Sequence, residues 1–145
     1  MKVRAKTPMI AAAIAASSLA LSLNAFAASA NYLPPMHKQG EVSYLSGGIG
    51  LNESDAIKHV AKAYPLELEF VLKAKPKAEY LANVKVQIKN AHDKTMLKTT
   101  TGPFLLAKLP AGKYTISANR DGKVMHRQVE IAAKGHRRVV FEWAS

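Results

Sequence analysis

The stretch Gly102-Pro-Phe-Leu-Leu-Ala-Lys-Leu-Pro-Ala-Gly-Lys-Tyr-Thr-Ile-Ser-Ala118 decides the fold of this chain. Residues 104–109 form a short apolar run, and Pro110 to Gly112 form a turn signal. Residues 113–118 alternate between polar and apolar side chains. Alternation with a period of two is typical of a strand with one buried face. The stretch therefore predicts a β-hairpin around which the rest of the chain packs.

The same alternation recurs on both sides of this stretch. Leu66 to Leu72 places apolar side chains on one face and Glu67 and Glu69 on the other. An Asp121-Gly122 pair is typical of a two-residue hairpin turn. Other strands are predicted near 41–45, 82–89, 96–100, 124–131 and 139–143. Short strands separated by turns predict a mainly β chain, namely an antiparallel Greek-key β-sandwich of about seven strands.

One short N-terminal helix is predicted near residues 53–64, because apolar residues recur there with helical spacing and Pro65 ends the pattern. Asn52 is the expected N-cap. The preceding Gly48-Ile-Gly50 segment invites comparison with a phosphate-binding loop. Glu53 stands where a dinucleotide fingerprint has its third glycine, so we interpret the segment as a turn.

The N-terminus has the pattern of an export signal. Three basic residues precede an apolar run that ends near Leu23, and Ala25 to Ala27 fits the small-residue rule for cleavage. The run is shorter than the roughly 20 residues that a spanning helix needs. A second small-residue site ends at Ala30, and we prefer cleavage after Ala27.

Three segments follow from this pattern. We expect residues 1–27 to be a signal peptide and residues 28–40, which contain two adjacent prolines, to be a flexible N-terminal arm. Residues 41–145 are expected to form a single domain that includes the helix. The predicted location is the periplasm, with no membrane span in the mature chain.

Composition narrows the classes of function. The chain has no cysteine, which excludes disulfides, thiolate metal sites and a lipoprotein anchor. Of its 21 basic residues three lie in the predicted leader, so 18 remain against 10 acidic residues, a net charge of +8. A basic surface favours anionic partners. Because an exported protein does not meet nucleic acid, no nucleic-acid partner is expected.

A set of short motifs resembles a known family. The motifs are Asp93-Lys, Gly102-Pro-Phe-Leu-Leu, Leu109-Pro-Ala-Gly-Lys-Tyr-Thr-Ile and Asp121-Gly-Lys. Together they resemble the carboxypeptidase regulatory-like domain, a prealbumin-like or transthyretin-like sandwich, over residues 81–143. Residues 44–57 are also similar to the start of small exported proteobacterial proteins that carry this domain and have no established activity. The resemblance implies a sandwich fold and a non-catalytic role.

One branch of the transthyretin-like proteins does have an activity. The hydrolases of urate metabolism in that branch end in a Tyr-Arg-Gly-Ser signature. This chain ends Phe141-Glu-Trp-Ala-Ser145. The resemblance therefore does not extend to that activity.

The densest basic region lies near the C-terminus. Lys123, Arg127, Arg137 and Arg138 are the candidate contacts to an anionic partner. We expect the chain to be a non-catalytic binding or accessory domain that contacts another envelope protein or an anionic envelope component. No cofactor and no metal is expected, and the sequence leaves the oligomeric state open.

The alternative function is that of a small hydrolase or a metal-dependent enzyme. Its site would be built from His59, His126 or His136, although none of the five histidines has metal-ligand spacing. Glu67 and Glu69 share one strand face and could form an acid–base pair. We interpret them instead as salt-bridge partners of lysines on a solvated face.

Overall fold

Ten strands and one short helix make up residues 32–145, the part of the chain that the computed structural model describes. The predicted signal peptide and residues 28–31 of the predicted arm lie outside the described residues. The prediction of a mainly β chain with one short helix is confirmed, but the number of about seven strands is too low. The strands are β1 His37–Gln39, β2 Val42–Gly47, β3 Leu66–Leu72, β4 Glu79–Tyr80, β5 Val84–Asn90, β6 Thr95–Thr101, β7 Phe104–Lys108, β8 Gly112–Arg120, β9 Lys123–Ile131 and β10 Arg137–Trp143.

The strands form two sheets whose inner faces share one apolar core. The six-stranded sheet has the order β1-β2-β7-β3-β10, with β4 also paired to β3, and the four-stranded sheet has the order β6-β5-β8-β9. Phe70 and Phe141 of the six-stranded sheet belong to the same buried cluster as Ile88 and Ile116 of the four-stranded sheet. Each of these side chains is fully buried. Burial of one such side chain stabilises the fold by about 1.5–3 kcal/mol.

The helix α1 (Leu51–Val60) covers the other face of the six-stranded sheet. It continues into a 3-10 turn, Ala61–Ala63. Together these segments bury a second apolar cluster against β2 and β7, formed by Leu45, Ile57, Ala61, Tyr64, Phe104 and Leu106. The middle of the six-stranded sheet is therefore buried on both faces. This explains why β7 has a continuous apolar run rather than an alternating one.

The predicted hairpin around Pro110 is wrong. Strand β7 pairs with β2 and β3, whereas β8 pairs with β5 and β9, so the Pro110-Ala-Gly112 turn carries the chain from one sheet to the other. The Tyr114 hydroxyl donates a hydrogen bond to the Pro110 carbonyl at 2.6 Å and holds this corner. By contrast, Asp121 and Gly122 take positive φ values of 50° and 84°, and the hairpin predicted there joins β8 to β9.

The prediction of a purely antiparallel arrangement is also wrong, because β10 lies parallel to β3. Arg137 opposes Leu66 at one end of this pair, and Trp143 opposes Leu72 at the other. Alternation in a sequence fixes the face on which a side chain lies, but it contains nothing about strand direction. The prediction of a flexible arm over residues 28–40 is wrong at its C-terminal end, because β1 lies there and pairs with β2.

The start of α1 differs from its predicted form. Gly50, not Asn52, precedes the helix, and no side chain caps it. The carboxylate of Glu53 instead accepts a hydrogen bond from the Gly48 amide at 2.6 Å. In a phosphate-binding loop, this amide would be free to bind the ligand. Here it is already bound by the Glu53 carboxylate, in agreement with the interpretation of the glycines as a turn.

The corner at Tyr114 gives a stability prediction. Burial, with a smaller contribution from Glu41, raises the pKa of Tyr114, so its hydroxyl stays protonated as a donor at neutral pH. Tyr114→Phe should lower the free energy of unfolding by about 1 kcal/mol, because the Pro110 carbonyl loses its donor. Urea denaturation of both proteins measures the difference. Tyr32→Phe, at a side chain that is 51% exposed, is the matched control, and equal effects at the two positions would contradict the assignment.

Candidate functional site

The strands β9 and β10 lie next to each other along one side of the molecule, and we call this side the basic edge. Each is the last strand of its own sheet. The indole Nε1 of Trp143 donates to the Lys123 carbonyl at 3.0 Å. The guanidinium carbon of Arg127 lies 5.6 Å from the ring centroid of Phe141. These two contacts join the edges of the two sheets.

Three of the four predicted contact residues lie along the basic edge and have no carboxylate partner in the part of the chain that the structure describes. Lys123, Arg127 and Arg137 are exposed, and none of them forms an ion pair with a carboxylate of residues 32–145. Lys123 and Arg127 share one face of β9 and lie roughly 13 Å apart along the strand. Arg137, at the start of β10, lines two shallow depressions together with Glu130.

The fourth predicted residue, Arg138, faces the opposite way from Arg137 and is paired within the chain. Its guanidinium contacts the Glu69 carboxylate through Nη2, and its Nε lies 3.7 Å from Glu67 Oε1. Both glutamates are almost fully buried on the helix-covered face of the six-stranded sheet. The interpretation of these glutamates as salt-bridge partners holds, but the partner is an arginine and the face is not solvated.

Arg138, Glu67 and Glu69 form an ion cluster, and His136 contacts it through Glu67. Its Nδ1 lies 2.7 Å from the Tyr64 carbonyl oxygen, and its Nε2 lies 2.9 Å from Glu67 Oε2. Each ring nitrogen of His136 therefore lies beside a hydrogen-bond acceptor. The cluster ties β3 and β10 to the segment after α1. Because both of its carboxylates already have partners, the cluster is better suited to holding these elements together than to binding a ligand.

A second candidate lies on the outer face of the four-stranded sheet. A shallow depression of about 790 Å³ lies there, and its lining contains lysines, hydroxyls and amides but no acidic residue. Within it, Ser117 Oγ lies 2.9 Å from His126 Nδ1. A hydroxyl beside an imidazole is the first requirement of nucleophilic catalysis. No carboxylate in the lining orients His126, so only this pair of a catalytic triad is present.

The structure does not bring together the histidines of the alternative function. His59 is exposed on α1, His126 lies on the four-stranded sheet, and His136 contacts the ion cluster. Among the described residues, no group of three histidine, aspartate or glutamate side chains is arranged to hold a metal ion.

A cation–π contact beside α1 has no signal in the sequence. Lys58 Nζ lies 5.4 Å from the ring centroid of Tyr80 and 5.8 Å from that of Phe104. The hydrogen bond to Tyr80 raises the pKa of Lys58 against the opposing effect of burial. The contact brings together residues from α1, β4 and β7, which lie far apart in sequence.

Comparison with known proteins leaves this geometry without a family. No protein-family model matches the chain, and no curated protein matches it either. The resemblance to the carboxypeptidase regulatory-like domain stays a prediction. No helix within residues 32–145 is long and apolar enough to cross a membrane.

A double-mutant experiment on the ion cluster can separate the effect of the Arg138–Glu69 ion pair from the effect of losing either side chain alone. Arg138→Met should lower the free energy of unfolding by about 1–3 kcal/mol, because it leaves the Glu69 carboxylate buried without its partner. Adding Glu69→Gln to that variant should recover part of the loss, since the unpaired charge is then removed. Denaturant titration of the two single variants and the double variant measures the coupling. Strictly additive effects would show that the two side chains do not depend on each other.

Proposed function

We propose that the chain is a non-catalytic binding or accessory domain of the periplasm, exported by a cleaved signal peptide, and that it contacts its partner through the basic edge. The partner is another envelope protein or an anionic envelope component. The observation that carries this proposal is the row of Lys123, Arg127 and Arg137. Their charges are exposed and have no carboxylate partner within the described chain, so they remain available to an anion.

The family and the finer fold belong to the same proposal. We propose a Greek-key sandwich of the prealbumin-like kind, in which the parallel β10 and the two strands before α1 are departures from the simplest pattern. Two sheets around one core support this assignment. The Leu109-Pro-Ala-Gly-Lys-Tyr motif supports it as well, because it forms the corner between the sheets and its Tyr114 hydroxyl binds the Pro110 carbonyl there.

The hydrogen bonding of the buried polar side chains favours a binding function over a catalytic one. Within residues 32–145, every buried side-chain nitrogen or oxygen has a hydrogen-bond partner. Catalytic groups tend to lie in clefts with their charges poised for a substrate. Within residues 32–145 the carboxylates of the ion cluster are already paired, whereas Lys123, Arg127 and Arg137 lie exposed without a carboxylate partner.

Charge reversal tests the proposed contact surface. Lys123→Glu, Arg127→Glu and Arg137→Glu in one variant should abolish retention of envelope proteins or lipids by the tagged protein in envelope extracts. A matched control reverses three exposed lysines elsewhere, Lys62, Lys75 and Lys77, and so has the same net charge. The control should retain the partner. If both variants retain it equally, or lose it equally, the basic edge is not the contact surface.

The Ser117–His126 pair favours a second candidate, a small hydrolase. Under our proposal, Ser117→Ala leaves the hydrolysis rate of an activated aryl ester unchanged. Under the hydrolase alternative, the same substitution lowers the rate by at least about a hundredfold, since removal of a positioned nucleophile or base has effects of this size. A spectrophotometric assay of the wild type, Ser117→Ala and His126→Ala decides between the two.

A further inference from the structure

We propose that β10 accepts an extended segment of the partner protein as an additional strand, and that this segment has carboxylates at alternate positions. This inference rests on the proposed function and specifies how the basic edge makes its contact. It commits to one kind of partner, a protein with an acidic extended segment.

The main chain of β10 is open on one side. The Arg137 amide donates to the Pro65 carbonyl at 2.8 Å, and the Trp143 carbonyl accepts from the Lys73 amide at 2.7 Å. In a parallel ladder the bonding residues alternate, so residues 137, 139, 141 and 143 turn their backbone groups toward β3. Arg138, Val140 and Glu142 turn theirs away from β3. No strand within residues 32–145 pairs with that side.

The opposite side of the molecule is closed against strand addition. The side-chain amide of Gln39 binds the outward backbone of β6: its oxygen accepts from the Lys98 amide at 2.7 Å, and its nitrogen donates to the Lys98 carbonyl at 3.3 Å. The six-stranded sheet ends on that side in β1, which has only three residues. Such devices are the usual protection of sheet edges. Strand β10 has an unbroken register of seven residues, about 20 Å long, without a proline or a bulge.

The charges next to this open strand define what it accepts. The side chains of Lys123 and Arg127 lie on the inner face of β9, because their neighbours Met125 and Val129 contact the core between the sheets. A strand added to β10 would extend the six-stranded sheet, and every second side chain would face these two cations and Arg137. Carboxylates at those positions complete three ion pairs.

The remaining positions of the added strand meet a different surface. They lie beside Val140, which is 36% exposed, between the paired Arg138 and the carboxylate of Glu142. Neutral, β-branched side chains suit this surface better than further carboxylates. The same cations repel a second copy of the basic edge, which disfavours self-association through β10.

The probe is an acetylated and amidated heptapeptide, Thr-Glu-Thr-Glu-Val-Glu-Thr, added to the full chain. Backbone amide exchange followed by NMR should slow by at least about tenfold at Arg138, Val140 and Glu142, because these amides gain acceptors. The amides of Val139 and Phe141 should not change, since they already bond to β3. A peptide with lysine in place of glutamate should have no effect. If millimolar Glu peptide leaves the three outward amides unprotected, the strand-addition proposal is wrong.

A backbone variant separates strand addition from a contact made only by side chains. Val140→Pro removes an outward amide hydrogen and leaves the ladder to β3 intact, which is where sheets tolerate proline. It should weaken peptide binding by about tenfold or more relative to Val140→Thr, which keeps the amide. Normal binding by Val140→Pro, together with loss in the charge-reversal variant, would overturn strand addition and leave the proposed function in place. Normal binding by both variants would overturn both strand addition and the proposed function. If Val140→Pro does not fold, the amide-exchange measurement on the wild type tests strand addition by itself.

Discussion

The burial of the middle of the six-stranded sheet on both faces is the constraint on which the rest of the structure depends. The four-stranded sheet covers one face, and α1 with its 3-10 turn covers the other. A strand in the middle of such a sheet must be apolar on both sides or must pair any charge that it holds. Strand β7 meets this requirement with an apolar run, whereas β3 has two glutamates and therefore needs cations on the neighbouring strand.

This requirement divides the basic residues of the C-terminal region into two groups with different roles. Arg138 forms ion pairs with Glu67 and Glu69, His136 contacts Glu67, and these contacts tie β10 to β3. Lys123 and Arg127 lie on β9, and Arg137 lies on the core-facing side of β10. None of the three has a carboxylate partner within residues 32–145. A cation that a buried carboxylate neutralises is unavailable to a partner, whereas an exposed cation without a carboxylate partner is available to one.

Local pattern was enough to predict much of the secondary structure. The strand predicted over 66–72 has the same bounds as β3, and the Asp121-Gly122 pair marks a true hairpin. The crossing at Pro110 was predicted wrongly, because a turn between two strands does not reveal whether the strands pair with each other or belong to different sheets. The continuous apolar run of β7 was the available signal, since a strand with two buried faces cannot belong to a hairpin with one solvated face.

The candidate site could be predicted only as a region. The density of basic residues after Gly122 located three residues of the basic edge, but nothing nearby indicates that Arg138 is paired. Its pairing depends on the register in which Arg138 opposes Glu67, two residues that lie far apart in sequence. The outward backbone of β10 is likewise a property of sheet order, which a single sequence does not contain.

The division of the cations can be measured directly by the reactivity of the arginines. Phenylglyoxal modification followed by mass spectrometry should label Arg127 and Arg137 well before Arg138, whose guanidinium is held by two carboxylates. Addition of an envelope extract should then protect Arg127 and Arg137 and leave the rate at Arg138 unchanged. Equal reactivity of all three in the isolated protein, or protection of Arg138 alone, would contradict this account of which charges serve the fold and which serve the partner.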